Sequence, residues 1–479
     1  MSKIQPEGAL VLTGEEMRAL GYRVVDILIE HFEQLRDLSV TRKSDRSTLE
    51  KQLREALPEQ GTSATRLLEQ VEQVVFSNIM YLDHPRFFAF VPSPNNFVSV
   101  MADALASGFN VFAGTWLEAS GPAEIELVTI DWLRQLCGLP DSAGGLFVSG
   151  GSMANLTALA TARHVRLRDN IQDVVIYYSD QTHSSIERGL RVMGFDPSQL
   201  RKLPSDDMFR LALTDLRREV AADRSAGKTP FCVIANAGTT NTGAIDPLPA
   251  LSEFCREEGL WLHADGAYGA AAVLCNKGHA LLEGLAYADS LSLDPHKWLF
   301  QPYEIGCVLV RKSHWLKETF HIMPEYLKDI VKGEEEINFC DYSIQLTRGF
   351  RALKLWMSLK TFGLEAFRKA VARGFTLAEL AQEVLSKSTS WEVITPAQMG
   401  IVTFRFVPAN RTRTLVELDT INQRIVDQMI ADGFAMVSST SLRGRTVLRL
   451  CTINPRTTED DIRETIHKLE NFGHYLSSQ

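Results

Sequence analysis

Ser290-Leu291-Ser292-Leu293-Asp294-Pro295-His296-Lys297-Trp298 runs from a short, strand-like segment into a turn that ends on a lysine. An aspartate stands 32 residues before that lysine, in His263-Ala264-Asp265-Gly266-Ala267-Tyr268. The pair points to covalently held pyridoxal 5'-phosphate. A lysine amine holds an aldehyde as a Schiff base, and a carboxylate keeps a pyridine nitrogen protonated so that the ring withdraws electrons from a substrate carbanion. Lys297 is flanked by Leu291, Leu293, Trp298, Leu299 and Phe300, an apolar setting in which a lysine usually has a task.

Working outward, short β-branched or apolar runs alternate with helical segments between residues 86 and 350, the pattern of an α/β domain. The runs 146–148, 174–178, 231–235, 261–263 and 306–310 are continuously apolar, as buried strands are. Upstream, residues 14–36 read as an amphipathic helix, with Met17, Leu20, Val24, Ile27, Leu28 and Leu35 near helical spacing and Glu15 and Glu16 in the first turn. A second helical stretch covers 63–81. Residues 1–85 are too few for a core of their own, so they are expected to form an arm lying on the main body or on a partner subunit. The segment 324–339 is polar and aperiodic and reads as a mobile, lid-like loop. Residues 351–479 read as a smaller C-terminal α+β domain. It has helices near 352–362, 415–432 and 458–472 and strands near 401–406 and 446–451.

Composition excludes several classes of function. A chain of 479 residues with 45% hydrophobic and 23% charged residues is globular, and it holds no apolar stretch long enough to span a bilayer. The first residues lack a signal-peptide or transit-peptide character, so a cytoplasmic location is expected. A net charge of -9 without Lys/Arg clusters argues against nucleic acid as a partner. Seven scattered cysteines with no CxxC pair suggest neither disulfides nor a zinc site, and no metal is expected.

Four further strand ends carry polar residues. Ser149-Gly150-Gly151-Ser152-Met153-Ala154-Asn155 opens a helix, where small residues and the helix dipole favour a phosphate; Gly151 and Ser152 are the expected contacts. His183, in Asp180-Gln181-Thr182-His183-Ser184-Ser185, is placed to stack on a planar ring. Asn236-Ala237-Gly238-Thr239-Thr240-Asn241-Thr242-Gly243 offers hydroxyls. Asp265 has small neighbours, Ala264, Ala267, Ala270 and Ala271, that leave room for a flat ring. Taken singly, each has a plainer explanation, since a glycine pair is most often only a turn and a lone histidine is most often structural. Their joint occurrence at successive strand ends is the specific signal.

With these residues in hand, the chain resembles the group II pyridoxal-phosphate decarboxylases, and most closely the aromatic-L-amino-acid decarboxylases, over nearly its whole length. The resemblance rests on His84-Pro85-Arg86-Phe87-Phe88-Ala89-Phe90-Val91-Pro92-Ser93, the Gly-Gly-Ser turn, 180–188, Gly238-Thr239-Thr240, His263 to Tyr268, Asp294 to Trp298 and Val447-Leu448-Arg449. It implies a fold-type I, aspartate aminotransferase-like α/β subunit with a mostly parallel central sheet, in a homodimer whose active sites lie at the interface. By motif, Lys297 resembles the Schiff-base lysine, Asp265 the pyridinium partner, His183 the stacking histidine and Thr240 the threonine near the cofactor. His296 is a further active-site member and Asp294 a cofactor neighbour. The substrate-binding set implied is Phe90, Pro92, Ser93, Phe112, Gly114, Thr347 and Arg449.

Tyr326, in Pro324-Glu325-Tyr326-Leu327-Lys328, looks like the tyrosine that delivers a proton after CO2 leaves; relatives that make aldehydes typically carry Phe there. The resemblance therefore implies decarboxylation of an aromatic L-amino acid to its amine, tryptophan-like or phenylalanine/tyrosine-like. An acidic substrate such as glutamate stays open, because glutamate decarboxylases share His-Pro-Arg-Phe-Phe, and so does an aromatic aldehyde synthase. Two departures stand out. Asp294 occupies a place where many relatives have Asn, awkward beside a phosphate unless its backbone N–H makes the contact or the carboxylate points away. Gly114 stands where animal enzymes carry a larger aromatic residue, which is expected to widen the pocket. Two remoter readings are a cysteine desulfurase using Cys340 and a silent binding protein that keeps the fold.

Overall fold

The computed structural model describes residues 10–322, 335–408 and 413–479. Three helices lead the chain: α1 (Gly14–Gln34), α2 (Arg46–Leu53) and α3 (Ala64–Gln70). After α4 (Phe97–Gly108) and α5 (Trp116–Leu136), strands and helices alternate. They are β1 (Gly144–Val148), α6 (Gly151–Leu167), β2 (Val174–Ser179), α7 (Ser184–Val192), β3 (Leu200–Leu203), α8 (Leu213–Ser225), β4 (Thr229–Asn236), α9 (Leu248–Glu258), β5 (Trp261–Asp265), α10 (Asn276–Leu281), β6 (Ser290–Leu293) and β7 (Gly306–Val310). The chain ends with α11 (His314–Phe320), α12 (Ala352–Lys387), β8 (Trp391–Gln398), β9 (Ile401–Phe406), α13 (Leu415–Asp432), β10 (Ser438–Leu442), β11 (Arg445–Cys451) and α14 (Glu459–Ser477).

The first sheet has the order β1-β7-β6-β5-β4-β2-β3. Its pairings are parallel except at β7, which runs antiparallel to both β1 and β6. The C-terminal ends of β1, β2, β4, β5 and β6 therefore open on one edge, where ligand crevices form in such sheets. Every residue of β2, β5, β6 and β7 is buried. Alternate side chains feed opposite layers: Val175, Tyr177, Val233 and Leu262 join the core under α5, α8 and α9, while Val174, Ile176, Ile234 and Trp261 join the core under α6, α7 and α11. That two-sided burial explains the unbroken apolar runs.

The second sheet, β10-β11-β9-β8, is antiparallel throughout and buries Phe404 and Leu448 against Leu377, Ile425 and Ile466 of α12, α13 and α14. Phe88 joins this core: its N–H donates to Met436 O at 2.8 Å, and its carbonyl accepts from Cys451 N–H at 2.9 Å. The boundary expected at residue 86 thus cuts through a packed segment. An extended strip with open N–H and C=O groups satisfies them by pairing here, so 86–88 go with the C-terminal sheet.

Other differences are local. The helix expected over 63–81 breaks after α3 into a π-helical turn at Val71–Val75 and a 3-10 turn at Phe76–Asn78. α12 is interrupted just past the expected end at Phe362, where Gly363 takes φ +74°, and then resumes to Lys387. β3 is only four residues long, β8 contains a proline and β10 is Ser/Thr-rich, so none shows an apolar strand pattern. All seven cysteines are free and buried. Among the described residues, no helix is long and apolar enough to cross a membrane, and no group of three or more His, Cys, Asp or Glu side chains is arranged to hold a metal ion.

Candidate active site

A cavity of about 440 Å³ lies where the strand ends converge, and eight of the expected residues line it: Gly151, Ser152, His183, Thr240, Asp265, Asp294, His296 and Lys297. They come from five turns on the same edge of the sheet, after β1, β2, β4, β5 and β6. The parallel pairings bring them together.

The turn between β1 and α6 supplies an anion site. Gly150 is the N-cap of α6 and offers no capping side chain, while its carbonyl accepts from the N–H groups of Met153 and Ala154 at 2.9 Å each. The amides of Gly151 and Ser152 make no hydrogen bond among the described residues and sit at the positive end of a 17-residue helix. A Cβ on Gly151 would lie 2.7 Å from both Ala267 Cβ and Asp294 Oδ2, so glycine is what permits the close approach.

Asp265 ends β5 and is 7% exposed. Its Oδ1 accepts from Ser292 Oγ at 3.1 Å and from Ala267 N–H at 3.2 Å, and its Oδ2 accepts from Asn155 Nδ2 at 3.1 Å. All three donors are neutral, which leaves the carboxylate without a charged hydrogen-bond partner and suited to a cationic N–H in the cavity.

At the end of β6, Lys297 Nζ pairs with Asp294 Oδ2 at 3.0 Å. Burial pulls the amine's pKa down, but Asp294 foremost, then Asp265 and Tyr303, outweigh it and hold the pKa above its ordinary value. Neither escape expected for Asp294 is taken: its N–H donates to Ala267 O at 3.1 Å, and its carboxylate faces the Gly151 turn, buried, with Oδ1 unpartnered among the described residues. His296 is held by its ring, whose Nδ1 lies 2.7 Å from Ile305 O, and its carbonyl accepts from Ser93 Oγ at 2.6 Å. Burial, reinforced by Lys297, outweighs the nearby Asp294 and lowers the pKa of His296.

His183 caps α7, its Nδ1 accepting from the Ser185 N–H at 3.2 Å. Burial lowers its pKa too, with Asp265 and Asp294 opposing and Lys297 and Arg188 reinforcing the shift. The Thr240 hydroxyl makes no hydrogen bond among the described residues, while its carbonyl accepts from Arg449 Nη2 at 2.8 Å.

The substrate-binding set expected from the resemblance does not line this cavity. Arg449 is buried and spends its guanidinium on the carbonyls of Phe90, Thr240 and Asn241, so it clamps a loop. Phe90 is 58% exposed, Pro92 is buried, and Ser93 supports His296 from behind. Thr347 is exposed. The widened pocket expected at Gly114 is corrected: a Cβ there would lie 2.6 Å from the Phe112 ring and 2.8 Å from Leu346 O, so the missing side chain makes room for Phe112. Tyr326 lies outside the described residues. Cys340, needed by the desulfurase alternative, is pushed up to about 11, first by burial and then by Asp341, and supplies no thiolate.

Sequence reasoning missed Asn155, Ser185, Tyr303 and Glu304, all of which line the cavity. Two had a signal. Asn155 follows Gly151 by one helical turn, and Ser185 stands two residues after His183; Tyr303 and Glu304 sit on a connection with no recognisable pattern.

The model of the pyridoxal-dependent decarboxylase conserved domain matches residues 47–407. The chain belongs to the pyridoxal-dependent decarboxylase family. This decarboxylase is 50% identical to an aromatic-L-amino-acid decarboxylase of Bacillus atrophaeus over 98% of both chains. It is 28% identical to a phenylacetaldehyde synthase of Arabidopsis thaliana, over 97% of each. Its fold matches the crystal structure of Oryza sativa TDC with PLP and tryptamine at a TM-score of 0.92 and 27% identity, covering 99% of this chain and all of that one. Its cofactor is pyridoxal phosphate, and the cavity fits it on three counts: an open helix N-terminus for a phosphate, a carboxylate with room for a cationic N–H, and a lysine amine on the next strand.

Proposed function

We propose that this decarboxylase converts an aromatic L-amino acid to the corresponding amine and CO2, with Lys297, Asp265 and His183 at the centre of the site. The observation that carries this reading is the meeting of Lys297 and Asp265, from the ends of adjacent parallel strands β6 and β5, in one cavity with the open N-terminus of α6. The half-identity to the Bacillus enzyme supports the aromatic substrate class, and the likeness to a structure holding tryptamine makes tryptophan the first candidate.

Bound there, pyridoxal phosphate supplies an aldehyde for amines and a ring that takes up the charge released as CO2 leaves. Lys297 holds the aldehyde between turnovers, and Gly151 and Ser152 donate their N–H groups to the phosphate. Asp265 keeps a proton on the ring nitrogen. His183 packs on the ring face, and Tyr326 delivers a proton to the substrate α-carbon, which favours amine over aldehyde as product. Asp294, paired with Lys297, keeps that amine close to the phosphate end of the cavity.

The working unit in this reading is a homodimer. α1 has no buried residue and exposes Met17 and Val24 on one side and Tyr22 and Ile29 on another, apolar surface suited to a second copy. The Phe112–Gly114 strip, tied to Arg348 and Cys340 by backbone hydrogen bonds, would then reach the partner's cavity and recover its expected substrate role. Seven free, buried cysteines suit a reducing compartment and support a cytoplasmic location.

A CO2-release panel of tryptophan, phenylalanine, tyrosine, DOPA, 5-hydroxytryptophan, histidine and glutamate tests the reading. Release from aromatic substrates is expected; release from glutamate alone would overturn the assignment.

A further inference from the structure

Beneath the cavity floor, a chain of buried polar side chains runs from Trp261 to His183. Trp261 Nε1–H donates to Ser290 Oγ at 2.9 Å, and Ser290 Oγ lies 2.9 Å from His263 Nδ1. His263 Nε2 lies 3.0 Å from Asn155 Oδ1. The Asn155 amide nitrogen then divides, donating to Asp265 Oδ2 and to Ser185 Oγ, both at 3.1 Å. Ser185 Oγ completes the path, 2.8 Å from His183 Nδ1. Trp261, Ser290, His263, Asn155 and Ser185 are each no more than 3% exposed, so water does not substitute for a broken link.

Only one polarity satisfies every link. An indole N–H donates and never accepts, so Ser290 Oγ accepts from Trp261 and keeps its own hydrogen free for His263 Nδ1. A neutral His263 that accepts there carries its proton on Nε2 and donates to Asn155 Oδ1. The other end decides for that orientation. An ionised Asp265 only accepts, so Asn155 must turn its NH2 toward Asp265 and its oxygen toward His263. With Ser185 Oγ accepting from Asn155, the Ser185 hydrogen points to His183 Nδ1, where the Ser185 backbone N–H also points. The Ser185 backbone N–H, which can only donate, thus leaves the proton of a neutral His183 on Nε2, the nitrogen not engaged by α7.

We propose that Asn155 is a positioning residue: its single amide holds Asp265 as a carboxylate and fixes His183 in the Nε2–H tautomer, so that the ring offered to the cavity is a hydrogen-bond donor. The inference rests on the function proposed above, in which Asp265 serves the cofactor's ring nitrogen and His183 packs on the ring face. It adds that the two are set by one junction rather than independently. Protonation of His183 Nδ1 meets two donors already aimed at it. The charged groups facing that ring are Asp265 from β5, Asp294 and Lys297 from the β6 turn and Arg188 from α7, and the first two alone would favour the imidazolium. The junction opposes them.

The test uses the cofactor-loaded protein and two cuts. Asn155→Leu severs both branches, and Ser185→Ala severs only the one to His183. For Asn155→Leu, the dissociation constant of pyridoxal phosphate, followed by fluorescence, is expected to rise about ten- to a hundredfold, the loss of a hydrogen bond to a charged group. For Ser185→Ala, cofactor affinity is expected to stay within twofold while the acid limb of the kcat/KM profile moves to higher pH, because His183 protonates more readily. Ser185→Thr, which keeps the hydroxyl, is expected to restore the original acid limb. If both cut variants fold with unchanged circular dichroism yet keep the parent's cofactor affinity and pH profile, Asn155 has no such role. Failure of the unaltered protein to bind the cofactor or release CO2 would instead sink the functional reading itself.

Discussion

Asp294 Oδ2 stands 3.0 Å from Lys297 Nζ, and the other oxygen of that buried carboxylate has no hydrogen-bond partner among the described residues. The pair holds Lys297 as an ammonium, with a pKa above the ordinary 10.5 although burial pulls the other way. The contact therefore stabilises the cofactor-free fold below that ordinary value, and the contribution is lost as pH rises through the raised pKa. An ammonium is no nucleophile. Asp294→Asn should lower the amine's pKa and remove a negative charge from the phosphate cradle. Stopped-flow absorbance at neutral pH should then show capture of pyridoxal phosphate faster by roughly tenfold, the equivalent of one pKa unit. Unchanged or slower capture would remove Asp294 from cofactor loading.

Tyr326→Phe should shift the product from amine toward aldehyde, because the proton for the α-carbon no longer arrives from the phenol. Chromatography of the products checks this, and an unchanged amine yield would exclude Tyr326 from the reaction.

The Arg348–Glu126 pair is wholly buried at 2.5 Å, and Arg348 also donates to Ala113 O and Phe147 O. Glu126 Oε1 in turn accepts from the Phe147 N–H of β1. Arg348→Met leaves a carboxylate uncompensated in the core and should cost about 3–5 kcal/mol of stability, read from urea unfolding. A loss under about 1 kcal/mol would show that the site relaxes or admits water.

His84 and His263 are both lowered from 6.5 to about 4, first by burial. Between those values the unfolded chain binds more protons than the folded one, so stability rises with pH across the window and is lost as pH falls through it. Each histidine contributes at most about 1.4 kcal/mol per pH unit. The urea midpoint should therefore drop from pH 7 to pH 5, and His263→Gln should make that drop shallower. A midpoint equally steep in the variant would refute the assignment to His263.

If α1 docks on a second copy, Tyr22→Glu with Val24→Glu should reduce the mass measured by light scattering to that of one chain. Since the Phe112–Gly114 strip would lose its target, CO2 release should fall with it. A dimer of full activity in the double variant would place the interface elsewhere.

The strands were legible because burial on both faces leaves an unmistakable mark: residues 174–178 and 306–310 have no polar alternation to confuse them with anything else. β3, β8 and β10 left no such mark, since one is short, one carries a proline and one is built of serine and threonine. Nothing in the local pattern of Phe87 and Phe88 says what they pack on, and the tertiary structure made both core. Gly114 misled for a related reason. A missing side chain leaves space, but sequence does not say which neighbour takes it, and the Phe112 ring does.

By itself the sequence determined which groups exist and on which strand ends they stand: a lysine after β6, a carboxylate after β5, a glycine turn before α6 and a histidine before α7. Their chemistry follows from residue type and from the few residues that separate each from its strand. Only the tertiary structure decided what they do to one another. Asn155 meets Asp265, 110 residues away, and His263, 108 away, because β5 lies beside β6 beneath α6. The polarity of a buried hydrogen-bond chain is a property of the closed set of donors and acceptors, and no local stretch of sequence contains that set.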